Sequence, residues 1–272
     1  MKIKLYSQYD HFSRYAVNTE EEADLVLYND EQTWHAYDSR PRGESALLIE
    51  PRSIQPAVYH NLETRYERFE TIYTHDSQLL AIAPNAKPIL WWNQYEIHDE
   101  PKTKGISMIC GQKELCALHI ERKKIATKIQ YAADILGDWQ GGPRVSTHDA
   151  HAPYMFSVVI ENYRDDNWFT EKILNCFGSK TVPIYFGARN IGNIFNTEGI
   201  IQVDRLWDIP GLVGLISHDP KGYYKNMLEA VEDNFKRVQT FQDFQDWFVK
   251  KYEDYYKPMK GYRLEEVLHD RK

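Results

Sequence analysis

Residues 154–187 read YMFSVVIENYRDDNWFTEKILNCFGSKTVPIYFG. An apolar run, a polar loop, a short helical segment and a second apolar run follow one another without a gap. Met155 to Ile160 is continuous and rich in β-branched residues, as a strand buried on both faces in a parallel sheet should be. Its carboxyl end delivers Glu161 and Asn162, and in open α/β sheets ligands bind outside the carboxyl ends of strands. The loop 163–169 leads to Thr170, a hydroxyl suited to cap a helix over Glu171–Phe177, with Gly178 expected just past its end. Glu171 and Lys172 then occupy the first turn. Unpaired N–H groups and the positive helix end make that turn an anion site, and Lys172 adds a full charge. TVPIYFG closes a βαβ unit. Each polar residue also has a plain reading, Glu171 complementing the helix dipole and Lys172 facing solvent.

The string I-E-N-x7-T-E-K-I followed by V-P-I-Y-F-G resembles the donor-binding signature of glycosyltransferase family 10, the α1,3-fucosyltransferases. The resemblance implies that Asn162, Glu171 and Lys172 hold a nucleotide sugar, Glu171 at the ribose and Lys172 at the diphosphate. Trp168 falls where that family usually carries Tyr. An indole lacks the phenolic hydroxyl and keeps the capacity to stack on a base or sugar.

The chain has 272 residues, long for one domain and comfortable for two. A net charge of −7 provides no general basic field, which weighs against nucleic acid as a partner. Aromatic residues make up 14% of the chain, compatible with stacking on sugars and equally with core filling. Cys110, Cys116 and Cys176 form no metal-type cluster and leave an odd thiol, the pattern of a reducing compartment. The amino terminus lacks a signal-type apolar segment and no run reaches the length of a membrane span, so a soluble, cytoplasmic protein is expected.

In the first half, Ile3–Ser7, Ala23–Asn29, Ser45–Glu50, Glu70–Thr74 and Lys87–Trp92 are short apolar runs suggesting a parallel sheet. Trp34–Gly43 has the composition of a loop bordering a site. Glu50 ends the third run ahead of Pro51 and Arg52. Taken alone it is a surface partner for Arg52. The short similarity of LIEPRSIQP to the family's Glu-Ser-Pro motif implies instead a general base that takes the acceptor proton. His75 either packs or meets acceptor, and Asp76 suits a helix cap.

Residues 93–104 are polar and aperiodic, an interdomain linker. GISMIC opens a second sheet, and a helix is expected from about Leu115 to Ile135. Arg122 stands out from the solvated Lys123, Lys124 and Lys128, because strand, loop, then Arg in an early helical turn is similar to the family arrangement in which an Arg reaches the diphosphate. Lys113 and Lys124 are its alternatives. Glu161 and Lys113 complete the candidate set. His148, Asp149 and His151 form an HDxH string that can bind a divalent metal, without an apparent fourth ligand. The last helices carry apolar faces at Met227, Val231, Phe235 and Val238 and at Phe244, Trp247 and Phe248. The tail after Lys250 mixes basic and aromatic residues, as a capping segment or a peripheral membrane contact would.

The resulting expectation is an α/β, GT-B-like protein of two Rossmann-like domains facing across a cleft. Residues 1–97 form an acceptor-side domain, 104–240 a nucleotide-sugar domain, and 241–272 helices packing back or a tail. The resemblance implies inverting transfer of fucose from GDP-fucose to a glycan hydroxyl, with no metal or other cofactor required. Alternatives are another nucleotide sugar, a modified nucleic-acid base as acceptor, and a non-catalytic nucleotide-sugar or glycan-binding protein.

Overall fold

The computed structural model describes residues 1–37, 44–241 and 243–256. Of the Trp34–Gly43 stretch expected to be a loop, 34–37 belong instead to a 3-10 helix over Asp30–Tyr37, and the rest, with most of the basic, aromatic tail, lies outside the described residues. The chain builds two parallel five-stranded sheets. The first holds β1 (Ile3–Tyr6), β2 (Leu25–Asn29), β3 (Glu44–Leu47), β4 (Thr71–Thr74) and β5 (Ala86–Pro88) in the order β1-β2-β3-β4-β5. Helices α1 (Pro56–Arg65) and α2 (Ser77–Ile82) follow β3 and β4.

The second sheet contains β6 (Lys104–Ile109), β7 (Asp134–Leu136), β8 (Tyr154–Ile160), β9 (Val182–Phe186) and β10 (Ile201–Gln202), in the order β10-β9-β8-β6-β7. Helices α3 (Ala117–Ile129), α4 (Thr147–His151) and α5 (Glu171–Gly178) connect its strands. They are followed by α6 (Ile209–His218), α7 (Pro220–Asn226), α8 (Leu228–Gln239) and α9 (Phe244–Tyr256). Here the strand order reverses between β6 and β8. The crevice at their carboxyl ends is the switch point where a doubly wound sheet takes its ligand.

The sequential order of the first sheet has a packing consequence. Right-handed crossovers that all step the same way put their helices on one face. That face, with Tyr28, Ala46, Leu48 and Ile72, packs on Val58, Tyr59, Leu62 and Leu79. Alternate residues point the other way, and Leu25, Leu27, Leu47 and Tyr73 join a core with Phe244, Phe248 and Tyr252 of α9. Phe248 meets Phe12 at 5.1 Å and Tyr73 at 5.0 Å between ring centroids. The same core includes Phe169, Ile173, Leu174 and Phe177, so one apolar cluster joins both domains through α9.

Several boundaries differ from the sequence reading. The expected helix to Ile135 ends at Ile129, and β7 takes 134–136 as a three-residue edge strand too short to show a period. The third run stops pairing at Leu47, so Glu50 sits in the turn beyond the strand. Gly178 is the last residue of α5, and the left-handed position falls on Lys180 at φ 53°. A Cβ on Gly178 would come within 2.2 Å of the Glu96 carbonyl oxygen, so that glycine serves the close approach of the linker.

Candidate active site

Thr170 caps α5 by accepting the Lys172 N–H at 3.3 Å, and the rest of the site is built around Glu161 at the end of β8. Glu161 is fully buried. It accepts the Thr170 N–H at 3.0 Å, the Thr170 hydroxyl at 3.0 Å and the Lys172 ammonium at 3.0 Å. Lys172 Nζ also donates to Thr170 Oγ1 at 2.9 Å and lies 3.9 Å from Glu171. A buried carboxylate with a cation and two further donors is stable because both of its oxygens accept hydrogen bonds and its charge is paired. Its effect is to hold the Lys172 ammonium at the mouth of α5, with the side chain one third exposed. Gly187 makes room for this arrangement, since a Cβ there would meet Glu161 Cγ at 2.8 Å and the Tyr185 hydroxyl at 2.2 Å.

Arg122, half-buried on α3, donates to the Ile160 carbonyl at 2.5 Å and so reaches the same strand end. Burial pulls its pKa down while Glu161 and Glu171 oppose that pull. Between these cations sits His119, which sequence reasoning missed. Burial, with the charges of Arg122, Lys172, Lys113 and Lys123, lowers its pKa to about 4, so the imidazole is neutral. Its Nδ1 accepts the Leu115 N–H at 3.2 Å, leaving the proton on Nε2. The i,i+3 spacing of His119 and Arg122 on one helix was the available signal. In a chain of net charge −7, this is a local basic pocket.

Glu50 comes from the other domain. Burial raises its pKa, Lys113 and Lys172 draw it back down, and Glu171 pushes it up again. Glu50 therefore shares a field with charged residues of the second domain. Arg52 does not pair with it. The guanidinium forms a two-pronged contact with Asp76, Nε and Nη2 at 2.9 and 2.7 Å, and a second ion pair with Glu63. A second missed residue supports Glu50. Asp30, buried at the end of β2 in the left-handed region at φ 47°, accepts the N–H groups of Ile49 and Glu50 at 2.8 and 3.2 Å.

The loop 161–170 is the seam between domains. Ser53 donates to the Asn162 carbonyl at 2.9 Å, where the Cys116 thiol also points at 3.3 Å. Trp168 is buried, its indole N–H donating to Asn162 Oδ1 at 3.2 Å and its ring lying 4.1 Å from that of His75. His75 is likewise buried, burial lowering its pKa to about 4. It packs in the seam rather than opening onto the cleft. Asp76 caps α2 through the Leu79 N–H at 2.8 Å. Asp165 accepts both the N–H and the hydroxyl of Ser77, at 2.8 and 2.6 Å. Asn167, at φ 62°, exchanges side-chain and backbone bonds with Asn190.

The HDxH string is dispersed by its helix. His151 is buried and faces Cys176 at 3.7 Å, whereas His148 turns outward beside Glu100. Lys124 pairs with Glu121 on the exposed face of α3 and stays clear of the pocket. All three cysteines are unbridged. Among the described residues no helix is long and apolar enough to cross a membrane.

Comparison with known proteins matches the second domain, which carries Arg122, Glu161, Glu171 and Lys172, to a family. Residues 100–226 match the domain described as glycosyltransferase family 10 (fucosyltransferase) C-term. The α-(1,3)-fucosyltransferase FucT of Helicobacter pylori is 30% identical over 77 residues, 28% of this chain and 16% of that protein. The α-(1,3)-fucosyltransferase C of Drosophila melanogaster is 23% identical over 189 residues, 61% of this chain and 44% of that protein. The chain thus spans less than half the length of these curated relatives. A crystal structure of an α1,3-fucosyltransferase shares the fold at 13% identity and a TM-score of 0.53, covering 90% of this chain and 92% of that chain. A mutant of S. aureus TarM solved with Fondaparinux, α-GlcNAc-glycerol and UDP aligns at 9% identity and a TM-score of 0.59, covering 86% of this chain and 56% of that chain. The fold is GT-B-like, two Rossmann-like domains meeting at a cleft.

Proposed function

We propose, from the premise that residues 100–226 are a domain of glycosyltransferase family 10, that the chain is an inverting fucosyltransferase using GDP-fucose and a glycan hydroxyl. The observation that supports this reading is that Lys113 and Lys172 draw the pKa of Glu50 down against burial, so a carboxylate of the first domain shares a field with cations of the second. Glu50 takes the proton of the acceptor hydroxyl as that oxygen bonds to the anomeric carbon. The bond from that carbon to the diphosphate oxygen breaks, and configuration inverts. The departing diphosphate gathers negative charge that Lys172, Arg122 and the amino end of α5 stabilise, with Lys113 nearby. His119 supplies a neutral Nε2–H donor. In this reading Glu171, in the first turn of α5, accepts from the ribose hydroxyls. The scheme needs no divalent metal at the diphosphate.

The test is Glu50→Gln assayed for transfer and, separately, for GDP-fucose binding by calorimetry. Transfer should fall by about 10²- to 10⁴-fold, the usual contribution of a general base, while binding persists. Full transfer in the variant would remove Glu50 from this role. Thermal stabilisation by GDP-fucose above UDP-sugars and other GDP-sugars identifies the donor. Another nucleotide sugar stabilising more strongly would reassign it. Binding with no turnover of any acceptor, glycans and modified nucleic-acid bases included, would favour a non-catalytic binder.

A further inference from the structure

At the opposite end of the second sheet, three side chains of metal-ligating type meet. His98 and Glu100 come from the linker, and His148 comes from the first turn of α4. One ligand atom from each lies within 4.8 Å of the other two. The imidazole rings of His98 and His148 stand 4.9 Å apart and nearly perpendicular, at 85°. We infer that His98, Glu100 and His148 bind a divalent transition-metal ion of the zinc type, which staples the interdomain linker to the C-terminal domain.

Two imidazoles and one carboxylate form the borderline donor set that suits Zn2+ and leaves a fourth, water-occupied position. The surroundings also suit a cation. Glu96 Oε2 lies 2.8 Å from His98, and Asp149 Oδ1 lies 3.1 Å from His148 Nδ1. A carboxylate on one nitrogen of an imidazole orients the ring and makes the other nitrogen a better ligand. For His148 that other nitrogen is Nε2, which already faces Glu100 Oε1 at 2.8 Å. Three carboxylates therefore surround two imidazoles, with Asp99 next to them engaged by Lys180 at 2.7 Å.

The backbone holds these ligands in place without the ion. The His98 N–H donates to the Gly178 carbonyl at 2.7 Å, and the Glu96 N–H donates to Asn175 Oδ1 at 3.0 Å. Ser146 caps α4 through the Asp149 N–H at 3.0 Å. His148 and Glu100 are 42% and 51% exposed, leaving an entry path. The linker leads into β6 and α4 leads into β8, so the group sits at the amino ends of strands whose carboxyl ends form the donor site. Six or seven residues at about 3.3 Å each separate the two by roughly 20 Å. A metal there acts on the joint between domains and not on the diphosphate, so the inference stands independently of the proposed reaction.

The experiment uses the full chain, stripped with a chelator, titrated with Zn2+ by calorimetry and with Co2+ by visible absorption. One saturable site per chain is expected, with a tetrahedral Co2+ spectrum and a rise in Tm on Zn2+ addition. His98→Ala and His148→Ala should each weaken Zn2+ binding by about 10- to 100-fold. Glu100→Gln, close in shape to the parent, should do likewise, and decides the matter alone if an alanine variant does not fold. GDP affinity should be the same with and without Zn2+. Equal Zn2+ affinity and Tm shift in wild type and His148→Ala would place the ion elsewhere among the chain's ten histidines and overturn the inference. So would a wild-type protein with no saturable site.

Discussion

The Asp30 carboxylate accepts the backbone N–H of Glu50 at 3.2 Å, so the residue just after β2 fixes where the turn after β3 presents its acid. Asp30 sits in the left-handed region, and the same carboxylate holds Ile49 N at 2.8 Å. Burial pushes its pKa up to about 7 against the lowering effect of those two N–H groups. Asp30→Ala should leave both N–H groups unpaired, costing about 1–3 kcal/mol of stability and lowering kcat with GDP affinity intact. Asp30→Asn keeps an acceptor and tolerates the left-handed region, and should recover part of kcat. Equal kcat in all three proteins would reduce Asp30 to a structural role.

The raised pKa of Asp30 also carries a sign. A carboxyl whose folded pKa exceeds its unfolded value favours folding most below the unfolded pKa, near 4, and that contribution is lost as pH rises through about 7. Denaturant unfolding should therefore show a decline between pH 4 and 7, on the order of a few kcal/mol, that is absent in Asp30→Asn. Parallel curves for the two proteins would contradict the assignment.

Glu50 titrates under the influence of Lys113, a residue exposed on the loop after β6. Removing a cation that favours the carboxylate form raises the pKa of that acid. Lys113→Ala should move the acid limb of kcat/KM to higher pH, with fold and Tm unchanged because an exposed lysine contributes little to stability. Potassium chloride should produce a smaller shift in the same direction by screening. An acid limb that stays in place would mean that Lys113 and Glu50 do not share a field.

Glu161 holds both Thr170 and Lys172, and its replacement should be felt in two measurements. Glu161→Gln leaves the ammonium without its buried counter-charge, a change worth up to about 3 kcal/mol, moderated by the partial exposure of Lys172. GDP affinity should fall as well, since Lys172 loses its anchor. In a double-mutant cycle with Lys172→Met the combined loss of stability should be smaller than the sum of the two. Additivity would show that the pair acts as two separate residues.

The central βαβ unit was legible because each of its signals is local. Met155–Ile160 is apolar without interruption, Thr170 precedes a helical pattern, and Glu161, Asn162, Glu171 and Lys172 lie within one short stretch. Arg122 was legible only by its order after a strand, and Glu50 only by a few neighbouring residues. Asp30 and His119 were not, since their importance comes from partners far apart in the chain. An aspartate twenty residues before Glu50 carries no periodic mark, and a histidine on a charged helix resembles a surface residue until the cations around it are seen. The helix end at Ile129 was missed because β7 has only three residues, too few for a period of two to register.

Gly187 tests whether close packing behind Glu161 matters to the site in front of it. The glycine follows β9, where the Tyr185 hydroxyl accepts the Ala188 N–H at 3.0 Å. Gly187→Ala would drive a methyl group into that hydroxyl and into Glu161 Cγ, both of buried residues. Overpacking of this kind costs about 1–3 kcal/mol, read as a lower Tm. Because Glu161 is one of the two groups that must move, Lys172 should be displaced with it and GDP affinity should fall in parallel. A variant that loses stability while binding GDP normally would show that Tyr185 absorbs the added methyl, and that the position of Glu161 does not depend on this glycine.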